Sequence, residues 1–307
     1  EAQFDERELL LAADMAMYQA KSEGRNRYRF FDQRLSREAE ARRQLQNDLH
    51  TAVENGGLEL MYQPIVDART RQVRTMEALL RWHHPTRGLI EPSVFLPMAV
   101  ELNLMGRITE IVLQQAIRQA ARWRDDIKVA VNVSPTDIET CDLPGLVEST
   151  LRAAGLPAYR LEIELTEQAF IANEEQTWFA MQRIQDMGVT IALDDFGTGY
   201  SSLSLLTSFA FDVIKIDRAF VRDIERREDC AAVAESILAI AKRLGMASTA
   251  EGIETEQQAQ ILTVAGADAL QGYLFAKPLP ASAFDAFART AASGRDAVRV
   301  VAAAGRA

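Results

Sequence analysis

The sequence predicts an α/β fold: a TIM-like (βα)8 barrel with an antiparallel first strand, preceded by a short helix–strand piece and a connecting helix. Three observations carry this. From Leu58 onward, short apolar runs alternate with longer amphipathic segments, the pattern of repeated βα units. Eight such strand-like runs fit closure into a barrel. The first two runs, 58–66 and 73–82, are joined by a turn at 67–71 that is too short for a parallel crossover, so they pair antiparallel. A chain of 307 residues suits a barrel of roughly 250 residues with an appendage.

In chain order, residues 8–22 read as a helix, with Leu9, Ala12, Ala16 and Ala20 on one apolar face, and 25–31 as a strand. Some thirty residues cannot build a core of their own. Residues 32–55 lack Gly and Pro and set Leu45, Leu49 and Ala52 at helical spacing. This reads as a connecting helix, either a solvated spacer or a coupling element, ended by Gly56-Gly57. The barrel is expected over 56–292. After the first two strands come helices at 92–104 and 108–123, a strand at 129–133 and a helix at 143–154. Next are a strand at 161–165, a helix at 173–187 and a strand ending at Asp194. A helix near 202–207, a strand at 213–216 and a long helix at 229–244 follow. A strand at 247–251, a helix at 255–265, a strand at 269–275 and a last helix at 281–292 complete the pattern. Residues 293–307 read as a fraying tail.

Composition narrows the function. Apolar residues at 48% are ample for a core, and a net charge of −10 argues against a broad DNA- or RNA-binding surface. An acidic chain still binds phosphate when metal ions mediate. The two cysteines, Cys141 and Cys230, are far apart, which suits a reducing, cytoplasmic setting and argues against a disulfide or zinc framework. No apolar run approaches the ~20 residues of a membrane helix. The chain starts with Glu1 rather than Met, so it is expected to be a piece of a longer protein whose sensory or membrane part lies outside it.

The stretch 190–202, TIALDDFGTGYSS, holds the densest chemistry. An apolar strand runs into two adjacent carboxylates, Asp194 and Asp195, and then into a Gly-containing loop. Neighbouring residues of a strand point to opposite faces, so both acids serve one site only if the strand breaks between them. An exposed turn is the alternative, since Asp and Gly are common turn formers. Barrel sites lie at the carboxyl ends of strands. Reading each strand there gives Gln63; Glu77 with Arg81; Asn132; Glu164 with Glu167; Asp194 with Asp195; Lys215 with Asp217; Glu251 with Glu254; and Gln271. Oxygen ligands dominate, which suits Mg²⁺ or Mn²⁺ rather than a softer metal. So many negative charges on one rim call for cations.

The ordered set YQPIV (62–66), EALLRW (77–82), NVS (132–134), ELTE (164–167), LDDFGTGYSSL (193–203), VIKIDR (213–218), AEGIE (250–254) and QGYLF (271–275) resembles the EAL phosphodiesterase family. The resemblance covers roughly 45–290. It implies hydrolysis of cyclic di-GMP to linear pGpG with two divalent cations, Mg²⁺ or Mn²⁺, and a homodimer through the barrel. By the same resemblance, Glu77, Asn132, Glu164 and Asp194 hold a first metal, and Asp194 and Asp195 the second. Glu251 is a metal ligand or the general base, and Lys215 lies near the attacking water. Gln63, Leu79, Arg81 and Asp217 fall at substrate-contact positions, with Gln271 a supporting glutamine there. Glu167 steadies the loop after the acidic pair, and Phe196 is a core anchor or part of the coupling to a dimer partner. Glu254 belongs to the surrounding shell. One departure is Ala99-Val100-Glu101, where the family usually has Ala-Glu-Glu. Residues 12–31, AADMAMYQAKSEGRNRYRFF, resemble the end of GGDEF (diguanylate cyclase) domains, although the GGDEF signature itself is absent. The implied division is 1–31 GGDEF remnant, 32–55 connecting helix, 56–292 EAL barrel and 293–307 tail. Competing readings are a silent cyclic di-GMP receptor, a dimerising signalling module and a metal phosphoesterase of another substrate class.

Overall fold

The computed structural model describes residues 33–123, 127–197 and 204–283, with separate positions between 10 and 28. Of the helix expected over 8–22, residues 10, 13, 14, 16–18, 20 and 21 are described, and all are helical; most of the strand expected over 25–31, the loop at 198–202, most of the helix at 281–292 and the tail 293–307 lie outside the described residues.

Among the described residues, ten strands form one sheet. They are β1 (Leu58–Asp67), β2 (Val73–His84), β3 (Gly88–Ile90), β4 (Lys128–Asn132), β5 (Leu161–Thr166), β6 (Thr190–Phe196), β7 (Val213–Ile216), β8 (Ala247–Ala250), β9 (Ala269–Gln271) and β10 (Leu279–Pro280). Eight of them close a barrel in the order β1-β9-β8-β7-β6-β5-β4-β2, sealed by the β1–β2 pairing; β3 extends β2, and β10 extends β1. Strand β1 is antiparallel to both barrel neighbours, and the pairings from β2–β4 through β8–β9 are parallel. The expected barrel with a reversed first strand is therefore present.

The alternation within strands explains what lies inside. In β5, Leu161, Ile163 and Leu165 are buried on one face, while Glu162 and Glu164 share the other. In β7, Ile214 and Ile216 alternate with Lys215. The apolar sets pack against surrounding helices such as Met105–Ala120, Glu174–Asp186 and Glu228–Leu244. Polar groups fill the interior at the carboxyl ends.

Several boundaries moved. The strand expected to stop at Asp194 runs to Phe196, and the strand expected over 269–275 ends at Gln271. Strand β3 and the helices Pro135–Thr140, Glu167–Ala172 and Arg218–Val221 were not legible, because none is long enough for an apolar period. The helix Gln33–Asn55 is docked, not solvated: Leu45, Leu49 and Val53 are buried. Arg42 pairs with Glu101 at 2.6 Å, Gln46 donates to the same carboxylate at 3.1 Å, and Asp48 meets the buried His84 at 3.0 Å. Val100 is exposed, so the missing carboxylate there removes a surface group next to Glu101. Among the described residues, no helix is long and apolar enough to cross a membrane.

Candidate active site

Strand register brings the acids together. Gln63 lies opposite Glu77 in the β1–β2 pair, Asn132 opposite Glu164 in β4–β5, and Asp194 opposite Thr166 in β5–β6. Asn132 Nδ2 donates to Glu77 Oε1 at 2.7 Å, and Gln271 Nε2 donates to Glu77 Oε2 at 2.5 Å. Gln63 Nε2 donates to the Ala276 carbonyl at 3.0 Å. The Asn132 bond commits the amide nitrogen and leaves its oxygen as the remaining ligand atom.

Lys215, 1% exposed, is the hub. Its Nζ stands 2.6 Å from Glu251 Oε1, 2.8 Å from Glu164 Oε2 and 3.2 Å from Asp194 Oδ1. Burial alone would push its ammonium down, but Asp194, Glu164 and Glu251 hold it well above the ordinary lysine range. One cation does not satisfy this many acids. Burial, opposed by Lys215 and reinforced by Glu77 and Asp194, pushes Glu164 well above the carboxylate range. Burial also pushes Glu251 up to about 8, against the pull of Lys215.

The acidic pair converges by a route that strand geometry alone would not provide. Asp195 has φ 54°, and the β6–β7 register shifts between Leu193 and Phe196. This bulge, not a strand end, undoes the alternation, turning both carboxylates to one side. One oxygen from each of Asp194, Asp195 and Glu251 lies within 4.8 Å of the others. Partial removal from water, then the Asp194 and Asp217 carboxyls, raise Asp195 to about 6. This donor set fits a hard divalent cation. Two buried oxygens support the fit, since Glu164 Oε1 and Gln271 Oε1 have no hydrogen-bond partner. An unmade buried bond is costly, and a cation beside these oxygens removes that cost.

Above the acids opens a cavity of about 430 Å³, lined among others by Gln63, Glu77, Leu79, Asp195, Asp217 and Glu251. Glu254 and Gln271 complete the expected residues on its wall. Asn132, Glu164, Asp194 and Lys215 belong to the contact network rather than to the lining. Arg81 does not line this cavity: its guanidinium donates to the Leu80 carbonyl at 2.8 Å and faces Glu91 at 3.8 Å. Glu167, buried at the start of its helix, accepts from the Gly197 backbone N–H at 3.3 Å and so holds the segment after the acidic pair. Phe196 is buried in the core.

Other participants escaped the sequence reading. Arg218, Gly252, Gly272 and Tyr273 also line the cavity. At Gly272 a Cβ would stand 2.0 Å from the Ile253 carbonyl oxygen, so only glycine permits this approach. Just after β4, Asp137 is buried and accepts from Ser134 N at 2.8 Å and Ser134 Oγ at 2.7 Å, with Thr109 Oγ1 as a third donor. The Ser-x-x-Asp spacing of 134–137 was the available signal for that capping box.

Residues 46–278 match the family model described as EAL domain. The chain is 40% identical over 278 residues to a bifunctional diguanylate cyclase/cyclic di-GMP phosphodiesterase, MucR, of Pseudomonas aeruginosa, covering 89% of this chain and 41% of that protein. It is 37% identical over 284 residues to the cyclic di-GMP phosphodiesterase PdeR of Escherichia coli, covering 92% of this chain and 43% of the relative. Two further relatives are spanned over 33% and 34% of their lengths. The fold superposes with a TM-score of 0.75 on a structure of the PaMucR phosphodiesterase in complex with c-di-GMP, at 38% identity, covering 78% of this chain and 99% of that one. The matched segment, the shared barrel and the acidic site at its carboxyl end together establish that the chain belongs to the EAL domain family.

Proposed function

We propose that this chain hydrolyses cyclic di-GMP to linear pGpG with the help of two divalent cations, Mg²⁺ or Mn²⁺. The observation that carries the reading is the convergence of Asp194, Asp195 and Glu251 with the orphaned Glu164 oxygen, at the base of a cavity large enough for part of a dinucleotide. The similarity to two named cyclic di-GMP phosphodiesterases supports the substrate class. Glu77, Asn132, Glu164 and Asp194 would hold one ion, and Asp194 and Asp195 the other, with Glu251 beside it. Bound divalent ions supply Lewis-acid activation of water and offset charge on the phosphodiester.

The chain's own groups do the rest. Glu251, in its carboxylate form beside Lys215, takes the proton of the attacking water. Lys215 stays charged, orients Glu164, Asp194 and Glu251, and offsets negative charge as the phosphorane-like transition state develops. Water oxygen bonds to phosphorus, one P–O bond to a ribose 3′-oxygen breaks, and that oxygen takes a proton from solvent water and leaves as a hydroxyl. Gln63, Leu79, Asp217, Glu254 and Gln271 shape the cavity for the nucleotide, and Arg81 reaches phosphate only by leaving its Glu91 and Leu80 contacts. Glu167 and Phe196 hold the segment after Asp195. Residues 1–31 are a GGDEF remnant, 32–55 a connecting helix, 56–292 the catalytic barrel and 293–307 a tail. The barrel pairs with a second copy.

The test is chromatographic. Purified protein is incubated with cyclic di-GMP and Mg²⁺ or Mn²⁺, beside a chelated control. The proposal expects pGpG only with metal. Intact nucleotide under both conditions rejects it.

A further inference from the structure

Gln258 is 4% exposed, and both ends of its amide are engaged. Its Oε1 accepts from the backbone N–H groups of Glu254 at 2.8 Å and Thr255 at 3.1 Å, and its Nε2 donates to the Arg222 carbonyl at 3.2 Å. Only the oxygen can accept two N–H groups, so the amide has one possible orientation. Gln258 is the third residue of the helix Glu256–Ala265, capped by Thr255, and a capping box needs only the bond to the Thr255 N–H. The other two bonds exceed that role. One fixes the last residue of the loop after β8. The other crosses to the segment after the helix Arg218–Val221, which follows β7.

Those two loops form one wall of the cavity, with Asp217 and Arg218 from the first and Glu251, Gly252 and Glu254 from the second. They also touch at Gly252, where a Cβ would lie 2.4 Å from Arg218 Cβ. Within the second loop the anchors differ. Glu251 N donates to the Ile216 carbonyl at 3.1 Å, and Ile253 N to the Gln271 carbonyl at 2.9 Å, so both are held by the sheet. Glu254 N is held by Gln258. Loosening Gln258 therefore moves the cavity rim and leaves Glu251 in place.

We propose that Gln258 is a positioning residue for substrate binding: it sets Glu254 against Asp217 and Arg218 at the spacing the nucleotide requires, without touching the nucleotide. This rests on the phosphodiesterase reading above. The experiment compares Gln258→Leu, which removes every amide bond, with the near-isosteric Gln258→Glu, which keeps an acceptor for the two backbone N–H groups. Both are measured with cyclic di-GMP and Mn²⁺. Gln258→Leu should raise KM roughly three- to tenfold, the range expected for lost hydrogen bonds, with kcat and the Mn²⁺ half-activation concentration within about twofold of wild type. Gln258→Glu should raise KM less. An unchanged KM with only a lower Tm would reduce Gln258 to a helix cap and overturn the proposal. So would a fall in kcat or a higher Mn²⁺ requirement at constant KM, which would place its action on Glu251. A wild-type protein without turnover would remove the phosphodiesterase reading itself, and the inference with it.

Discussion

Replacing Lys215 by Met removes the one ammonium that, among the described residues, contacts Glu164, Asp194 and Glu251. Lys215 is 1% exposed and Glu164 is fully buried, so water does not take over the lost interaction. Removing one partner of a buried ion pair costs about 3–5 kcal/mol. For a domain of this size each kcal/mol lowers Tm by roughly 2–4 °C, so the chelated variant should melt about 6–20 °C below chelated wild type. Protonation relieves part of the loss, because Glu251 is pushed up to about 8 and Glu164 is also raised. The gap should therefore be wider at pH 8.5 than at pH 6. Divalent ions bring the missing positive charge, so Mn²⁺ should narrow it. Turnover should fall by about a hundredfold or more, because the transition-state charge loses its nearest fixed cation. Thermal melts of both proteins, with chelator and with Mn²⁺, read the result. An equal gap under both conditions would refute the idea that these carboxylates share their charge balance with metal.

Further outcomes follow from the same geometry. Glu77→Ala should abolish turnover, since the carboxylate that aligns Asn132 and Gln271 is gone; normal product formation would reject its assignment. Asp195→Asn should weaken Mn²⁺ binding by calorimetry while leaving the chelated Tm within a few degrees, because Asn tolerates the left-handed backbone found there. A collapse of Tm without metal would mark Asp195 as structural. The chelated wild type should lose stability as pH rises. A carboxyl raised in the folded state favours folding below its unfolded value of about 4.3, and that contribution fades as pH climbs through its folded value. For Glu251 this window closes near about 8, so Tm should fall between pH 5 and 8, and a Tm that rose across that interval would contradict the burial of these acids.

How much could be read beforehand depended on the length scale of the signal. Alternation over four to ten residues exposed β1, β2, β5 and β7, and the short 67–71 turn fixed the direction of β1. The acids could be placed because each follows an apolar run that ends at the same rim. The convergence of Asp194 and Asp195 could not, because it depends on one backbone dihedral at Asp195 and a register shift against β7. Arg81, which the resemblance places at a substrate-contact position, is not among the residues lining the cavity, and its guanidinium faces Glu91, on the approach to the helix Pro92–Glu101. Gln258 sits in an ordinary capping pattern, and its extra bonds appear only when the loops after β7 and β8 meet.

If the carboxylates around Lys215 hold the metal ions of the proposed reaction, those ions can be seen there. Anomalous scattering from crystals grown with Mn²⁺ tests it most directly. Two peaks are expected beside Asp194, one reached also by Glu77, Asn132 and Glu164 and the other by Asp195. Crystals with no peak among these residues, and with Lys215 still bound to all three acids in the presence of Mn²⁺, would contradict it.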